Sequence, residues 1–199
     1  MSDALLDAAV NQFGDLGLAG ASTRAIAAAA GTAMSTITYR HGGKDGLYLA
    51  AADYIAQTIG ERMRPALAAR LGAPLDRILG LVRGFTALML SEESRPWARF
   101  IIREQMQPTA AFDRLWDGAM REVLDVLAGE ILAATGRTDV RAARLTAMTF
   151  MGQALVFRAA RAAVMRALDR EELDPEDVLA IHVRIEANIR AILTAEAVP

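Results

Sequence analysis

Apolar residues recur at helical spacing along most of the chain, and no stretch alternates apolar and polar residues as a half-buried strand would. Near the N-terminus, one stripe ends in the glycine-rich DLGLAG and predicts a first helix; its members are Leu6, Val10, Phe13 and Leu16 or Gly17. The clearest stripe predicts a helix from Pro175 to about Ala195, through Val178, Ile181, Ile185, Ile189 and Ile192. The pattern therefore predicts an all-α protein.

The same spacing predicts helices through the middle of the chain. A long helix is predicted from Asp45 to about Leu71, with Pro65 as a break or kink. The remaining predicted helices are Pro74 to Leu90, Trp97 to Met106, a longer one from Thr109 or Ala110 through Leu127, and Ala142 to Leu168.

The stretch STRAIAAAAGTAMSTITYRHGGKDGLY, from Ser22 to Tyr48, has the spacing of a helix-turn-helix followed by the start of the long helix. Two helices that cross steeply need a small residue at their contact, a residue that can turn left-handed, and an apolar residue that anchors the second helix. Ala27, Gly31 and Ile37 supply these three features in order. The second helix of the motif is predicted at Met34 to His41.

With Ile37 turned inward, the second motif helix presents hydroxyl, aromatic and guanidinium groups on or near its other face, which suits base edges and phosphates. Two residues that start the first motif helix and a lysine that starts the long helix are placed for phosphate contacts. The predicted DNA-binding residues are Thr23, Arg24, Ser35, Thr36, Thr38, Tyr39, Arg40 and Lys44. The alternative is an ordinary three-helix segment with solvated surface residues.

The segments TRAIAAAAG and ITYRHGGKDGLYLA resemble the N-terminal domain of the TetR family of bacterial repressors, and the ITY, GxK and LYLA pieces resemble its CecR-like branch. By motif the resemblance covers about residues 5 to 55, and the rest is similar in length, helical character and the segment REQMQPTAAFD. The chain has Arg40 and His41 where the family usually has aromatic residues, and Gly43 where it has serine. We interpret His41 as a packing substitute rather than a ligand.

The resemblance implies a fold and a division into domains. It implies a three-helix, helix-turn-helix DNA-binding domain at residues 1–46, joined by the long helix to a larger helical domain at 47–199 that binds a ligand and dimerises. The last two helices carry small residues such as Ala143, Ala147 and Gly152, which let helices approach closely. With the resemblance, these favour a homodimer through the last two helices; the alternative is packing within one subunit.

Large, soft side chains are frequent in the middle of the chain, where they fill a core or line a pocket for apolar ligands. Given the resemblance, we predict a pocket for a small apolar or amphipathic effector, with Glu104 and Gln105 as further polar candidates. The predicted pocket residues are Phe85, Met89, Phe100, Arg103, Met106, Phe112, Trp116, Met120, Met151 and Gln153.

Composition narrows the classes of function. A hydrophobic content of 53% in 199 residues supports a substantial core, and the absence of cysteine excludes disulfides and cysteine nucleophiles. The N-terminus lacks the basic region of a signal peptide, and the most apolar run is interrupted by Arg83, well short of the roughly 20 residues of a membrane helix. We therefore expect a cytoplasmic protein. The two histidines form no metal-binding spacing, and no phosphate loop or nucleophile motif is present, so we predict no metal, no cofactor and no enzyme.

Charge argues against promiscuous DNA affinity. The net charge is −2, and the first sixty residues hold Arg24, Arg40 and Lys44 against five aspartates, although DNA-binding faces usually concentrate positive charge.

The function predicted is a ligand-responsive regulator, a repressor that binds a pseudo-palindromic operator as a homodimer and is released by its effector. The alternative is a helical scaffold or small-molecule-binding protein that has lost DNA binding.

Overall fold

A computed structural model describes residues 3–69 and 71–197, and within these ranges every regular element is helical. The predicted all-α class is therefore confirmed. The α-helices are α1 (Ala4–Gly20), α2 (Thr23–Ala29), α3 (Met34–His41), α4 (Lys44–Ala68), α5 (Pro74–Leu90), α6 (Arg95–Met106), α7 (Ala110–Leu115), α8 (Arg121–Thr135), α9 (Val140–Ala159), α10 (Arg161–Leu168) and α11 (Pro175–Glu196). A 3₁₀ turn at Glu92–Ser94 precedes α6, and a π-helical turn at Trp116–Met120 joins α7 to α8.

Several helix bounds follow the sequence pattern closely. The helices α3 and α5 begin and end at the predicted residues, and α11 begins at the predicted Pro175. The long helix α4 ends at Ala68 rather than near Leu71, and it continues through Pro65 instead of breaking there. The core face of α1 is formed by Leu5, Val10 and Phe13, whereas Leu16 is exposed. Its backbone leaves the helical region at Gly17, inside the predicted DLGLAG terminus.

The prediction of a single helix from Ala142 to Leu168 is wrong. At Ala160 the backbone has φ −106° and ψ 28°, which separates α9 from α10. The surrounding FRAARAAV contains no glycine or proline, so the local sequence gives no indication of the break. The longer helix predicted from Thr109 or Ala110 also differs, because the π-helical turn interrupts its α-helical hydrogen bonding.

The chain divides into two compact units. Unit 1 contains residues up to Glu61 together with Glu93–Arg121, and unit 2 contains Arg62–Glu92 together with residues from Glu122 onwards. The helices α6 and α7 therefore belong with the helix-turn-helix segment in one compact body. The predicted domain boundary between residues 46 and 47 stays a prediction.

The core of unit 1 is built where α1 meets α6. A Cβ on Gly14 would lie 2.6 Å from the carbonyl oxygen of Pro96, so only glycine lets the two helices approach this closely. Beside this contact, the ring of Tyr48 lies edge-on to Phe13 at 4.8 Å and stacks on Phe100 at 4.6 Å between ring centroids. These buried aromatic contacts join α1, α4 and α6.

In the core of unit 2, α5, α9 and α11 pack against one another. Ile78 and Val82 of α5, Phe150 of α9 and Ile185 of α11 are among its buried side chains. Arg158 is also buried, and its guanidinium donates from Nε to the carbonyl oxygen of Met89 at 2.7 Å and from Nη2 to that of Ser91. These bonds satisfy carbonyl groups at the C-terminal end of α5.

Candidate DNA-binding surface

The turn between α2 and α3 has the geometry that the sequence predicts. The hydroxyl of Ser22 N-caps α2 by accepting from the amide of Ala25 at 3.4 Å. Gly31 has φ 64°, and the amide of Thr32 donates to the carbonyl oxygen of Ala27 at 2.9 Å. A left-handed glycine thus closes α2 and redirects the chain into α3.

The helix α3 is anchored on one side and exposed on the other. Ile37 is 1% exposed, whereas Tyr39 is 92% exposed and Ser35, Thr38 and Arg40 also face solvent. The exposed groups of α3 thus include two hydroxyls, a phenol and a guanidinium. Thr36 differs from the other predicted contact residues, because it is half-buried and its hydroxyl accepts from the hydroxyl of Thr32 at 3.1 Å.

The predicted phosphate-contact residues occupy two different environments. At the start of α2, Thr23 is half-buried and Arg24 is exposed. Lys44, at the start of α4, donates from Nζ to the carbonyl oxygen of Ala19 at 3.1 Å. Since Ala19 lies near the C-terminal end of α1, after the kink at Gly17, the ammonium group satisfies a terminal carbonyl group there. Sequence reasoning missed this structural role of Lys44.

A glycine pair connects α3 to α4. Gly42 has φ 72° and donates its amide to the carbonyl oxygen of Thr38 at 3.0 Å, and Gly43 has φ 118°. The preceding His41 is half-buried, which agrees with its interpretation as a packing residue. Burial, with a further contribution from the charge of Arg40, lowers the pKa of the His41 imidazole. Its Nε2 is buried and has no hydrogen-bond partner among the described residues.

An ion pair joins the first turn of α1 to α3. Nη2 of Arg40 donates to Oδ2 of Asp3 at 2.8 Å, and this hydrogen bond is the largest influence that lowers the pKa of the Asp3 carboxyl group. Sequence reasoning did not identify Asp3, because the two residues stand 37 positions apart. The sequence did indicate where Asp3 would lie, because an aspartate just before the first apolar stripe is in position to N-cap that helix.

The excess of aspartates in the first sixty residues is partly balanced inside unit 1. Asp15 forms an ion pair with Arg99 of α6, and Asp53 forms one with Arg114 of α7 at 3.4 Å. The net charge of the first sixty residues therefore overstates the negative charge near α1 and α4, because arginines of α6 and α7 lie beside two of these carboxylates.

Of the predicted effector residues, six lie in unit 1. Phe100 is fully buried against Tyr48, and the ring centroids of Phe112 and Trp116 lie 6.5 Å apart with an interplanar angle of 22°. Met106 is 79% exposed. The remaining two are Arg103, which is exposed and donates from Nη2 to the carbonyl oxygen of Asp15 at 3.3 Å, and Met120, which is half-buried.

Glu104, a further polar candidate for effector contact, forms hydrogen bonds within the protein instead. It is buried, and its Oε1 accepts from the hydroxyl of Tyr48 at 2.6 Å. Its Oε2 accepts from the amide and the hydroxyl of Thr109 at 3.0 and 2.8 Å. Both carboxyl oxygens are thus occupied by protein donors. Gln105, the other candidate, is exposed.

The other four predicted effector residues lie in unit 2, on α5 and α9. Met89 is buried, Phe85 and Met151 are half-buried, and the side-chain oxygen of Gln153 accepts from Asn188 at 2.8 Å. A cavity of about 10 Å³ lies between α5 and α11, which is room for a water molecule and not for an effector. The lining of an effector pocket stays a prediction in both units.

The described residues also bear on membrane insertion and on metal binding. Across residues 3–69 and 71–197, no helix combines the length and the apolar character needed to cross a membrane. The same part of the chain contains no group of three or more histidine, aspartate or glutamate residues that could hold a metal ion.

Comparisons with known proteins agree with the geometry of α2 and α3. Residues 5–51 match the family model of bacterial regulatory proteins of the tetR family, and residues 74–196 match that of the C-terminal domain of the HTH-type transcriptional dual regulator CecR. The chain is 33% identical over 201 aligned positions to the CecR regulator of Shigella flexneri, covering 95% of this chain and 89% of that protein.

Solved structures share the fold at lower identity. A TetR-like transcriptional regulator from Rhodococcus sp. RHA1 has a TM-score of 0.73 at 21% identity, covering 96% of this chain and 94% of that one. AibR, solved in complex with isovaleryl coenzyme A and operator DNA, has a TM-score of 0.70 at 16% identity, covering 94% and 96% of the two chains.

Proposed function

The chain belongs to the TetR family of bacterial DNA-binding transcriptional regulators, in its CecR branch, and on that premise we propose that α3 reads operator DNA in a homodimer. The family assignment also confirms the prediction of a regulator rather than an enzyme. The observation that carries the proposal is the exposed surface of α3, where Ser35, Thr38 and Tyr39 point away from the buried Ile37 and Arg40 is exposed one turn after it. A helix of this kind fits the major groove.

Selection of bound duplexes from random DNA tests this proposal directly. We expect a pseudo-palindromic site, and we expect Arg40→Ala to weaken binding to that site by about 1 to 3 kcal/mol per subunit if the guanidinium contacts guanine bidentately. Arg137→Ala, which removes an exposed arginine from the loop after α8, is the matched control and should leave affinity unchanged. If no sequence is enriched, the chain is a helical scaffold or small-molecule-binding protein that has lost DNA binding.

The second part of the proposal is a dimer formed through α9 and α11. Leu145, Met148 and Val156 form an exposed apolar row on α9, and Leu179 and Val183 form another on α11. The row on α11 lies opposite the buried stripe of Ile181, Ile185 and Ile189. Exposed apolar rows at helical spacing are typical of surfaces that pack against another helix.

The same helices contain small residues in two different settings. Ala143 and Ala147 are buried within the subunit, whereas Gly152 of α9 and Ala187 of α11 are exposed. The exposed small residues would let the two-fold-related helices of a partner subunit approach closely. A dimer is also what a pseudo-palindromic operator requires, because one recognition helix reads only part of the site.

Sedimentation measurements at micromolar concentration test the dimer. Met148→Glu and Val183→Glu should each convert the protein to monomers, because each places a carboxylate within the proposed interface. Leu71→Glu is the control, since Leu71 is 92% exposed and lies outside α9 and α11. A parent protein that sediments as a monomer with and without DNA would contradict the proposal.

The third part of the proposal is release of the repressor from DNA by a small apolar or amphipathic effector. Support comes from family membership and from AibR, which shares the fold and was solved with isovaleryl coenzyme A and operator DNA. Acyl coenzyme A thioesters are therefore the first class of molecule to assay. Reciprocity requires that an effector which weakens DNA binding is itself weakened by DNA to the same factor.

Trp116 is the better residue with which to test the effector response. Phe100 is fully buried against Tyr48, so Phe100→Ala should cost about 3 to 5 kcal/mol of folding stability. Trp116 is half-buried, so Trp116→Ala should leave operator affinity nearly intact while reducing the response to acyl coenzyme A. A variant that responds as the parent does would place the effector elsewhere.

A further inference from the structure

The ion pair between Asp3 and Arg40 places a negative charge next to the recognition helix. Oδ1 of Asp3 accepts from the amides of Leu5 and Leu6 at 3.0 and 3.4 Å, which fixes the carboxylate at the N-cap of α1. Its other oxygen, Oδ2, accepts from Nη2 of Arg40 at 2.8 Å. The carboxylate that restrains Arg40 is therefore itself held by the helix backbone.

This pair leaves much of the guanidinium accessible. The side chains of Arg40 and Asp3 are 47% and 30% exposed. A guanidinium has five N–H donors, and the hydrogen bond to Asp3 uses one of them, so neighbouring donors remain for a bidentate contact. An arginine that is already oriented loses less conformational freedom when it binds, which favours a contact that demands a defined direction.

The same pair reduces what Arg40 gains from a phosphate. Nonspecific affinity depends on cations that replace counterions along the DNA backbone, and a guanidinium beside a carboxylate contributes little net charge. If a phosphate lies in a direction to which the paired guanidinium does not point, Arg40 must break its hydrogen bond to Asp3 to reach that phosphate. If α3 lies in the major groove, a base edge within reach of the free donors can be contacted without breaking the pair.

We propose that Asp3 is a specificity-determining residue that orients Arg40 for base contact and lowers its affinity for phosphates in nonspecific DNA. The proposal rests on DNA reading by α3, as proposed above. An exposed ion pair shifts an equilibrium by roughly 1.5- to 5-fold, and two subunits act together. Removing the Asp3 carboxylate from both subunits should thus raise the affinity of the dimer for nonspecific DNA by roughly 2- to 25-fold.

Asp3→Asn is the direct test, because asparagine N-caps a helix about as well as aspartate and has nearly the same size. Affinity is measured on a duplex carrying the selected site and on a duplex of the same base composition in scrambled order. We expect affinity for the scrambled duplex to rise and the ratio of the two affinities to fall. Asp139→Asn is the matched control, since Asp139 N-caps α9 through the amides of Arg141 and Ala142.

The same substitution in an Arg40→Ala background separates orientation of Arg40 from any general effect on α1. If Asp3 acts through Arg40, Asp3→Asn no longer changes the affinity ratio in that background. The inference is overturned if the ratio falls equally without Arg40, or if Asp3→Asn changes both affinities by one common factor.

A third result shows whether the reading role of Arg40 has failed or only the inference about Asp3. If Arg40→Ala alone leaves the affinity ratio at the parent value, then Arg40 does not read sequence, and the assignment of Arg40 to base contact fails together with the inference. If Arg40→Ala lowers the ratio but Asp3→Asn does not, reading by α3 stands and the inference about Asp3 is wrong.

Discussion

Gly46 leaves no room for a side chain beside the carbonyl oxygen of His41. A Cβ at Gly46 would overlap that oxygen, which belongs to the last residue of α3, while Gly46 lies in the first turn of α4. The glycine of the KDGL segment therefore sets how closely α4 follows α3. Because the obstacle is backbone, a larger residue can be accommodated only by moving α3 or α4.

Gly46→Ala should destabilise the protein by about 3 kcal/mol or more, because overpacking against backbone cannot be relieved by a change of rotamer. Gly60→Ala is a control in the same helix, since a Cβ at Gly60 has no neighbour within 4 Å. That variant should be neutral or more stable than the parent, by up to about 1 kcal/mol. Urea unfolding of both variants gives the comparison, and equal stability of the two would contradict the argument.

The hydrogen bond from Tyr48 to Glu104 should make a measurable contribution to stability. Tyr48→Phe removes the donor at 2.6 Å and leaves Oε1 of a buried carboxyl group without that partner, at a cost of about 1 to 3 kcal/mol. Tyr39→Phe removes a hydroxyl that is exposed to solvent and should leave the free energy of unfolding unchanged. Similar unfolding midpoints for the two variants would show that the buried bond contributes little.

Acidification should destabilise the protein through its histidines. Burial lowers the pKa values of His41 and His182 below 6.5 in the folded state, whereas the unfolded chain binds protons at about 6.5. The unfolded state therefore takes up more protons as the pH falls below this value, and stability decreases. His41→Phe should reduce this loss and His41→Phe with His182→Phe should reduce it further, as measured by urea unfolding across the acidic range. An unchanged pH dependence in the double variant would exclude this cause.

The salt dependence of operator binding should report how many cations contact phosphate. If Arg24, Arg40 and Lys44 of both subunits did so, the slope of log affinity against log salt concentration would be roughly −5. Because Arg40 is paired with Asp3, we expect a shallower slope on the operator, and Asp3→Asn should steepen the slope on nonspecific DNA by about 2 for the dimer. A slope of zero in the parent would contradict DNA binding through this surface.

The sequence predicted those features of the candidate DNA-binding surface that depend on local geometry. The bounds of α3, the inward position of Ile37 and the turn at Gly31 follow from helical periodicity and from the conformational freedom of glycine. These features involve residues within about one or two helical turns of each other, so their spacing along the chain reflects their spacing in the fold.

Contacts between distant residues could not be predicted in this way. Tyr48 and Glu104 are 56 positions apart, and nothing in either local sequence indicates that they meet. Glu104 was a candidate for ligand contact because its residue type suits that role, but its burial beside Tyr48 depends on how α6 packs against α1 and α4. Periodicity predicts which face of a helix is buried and does not identify the partner of that face.

The close approach of α1 and α6 has a consequence for the construction of hybrid regulators. A segment ending at residue 51, the limit of the N-terminal family match, contains Phe13 and Tyr48 but lacks Phe100, on which Tyr48 stacks. Transferred alone to another effector domain, that segment would expose these two rings unless the recipient supplied an equivalent of α6. A transferable DNA-binding module of this protein therefore consists of two separate pieces of the gene product, one ending at Glu61 and one spanning Glu93–Arg121.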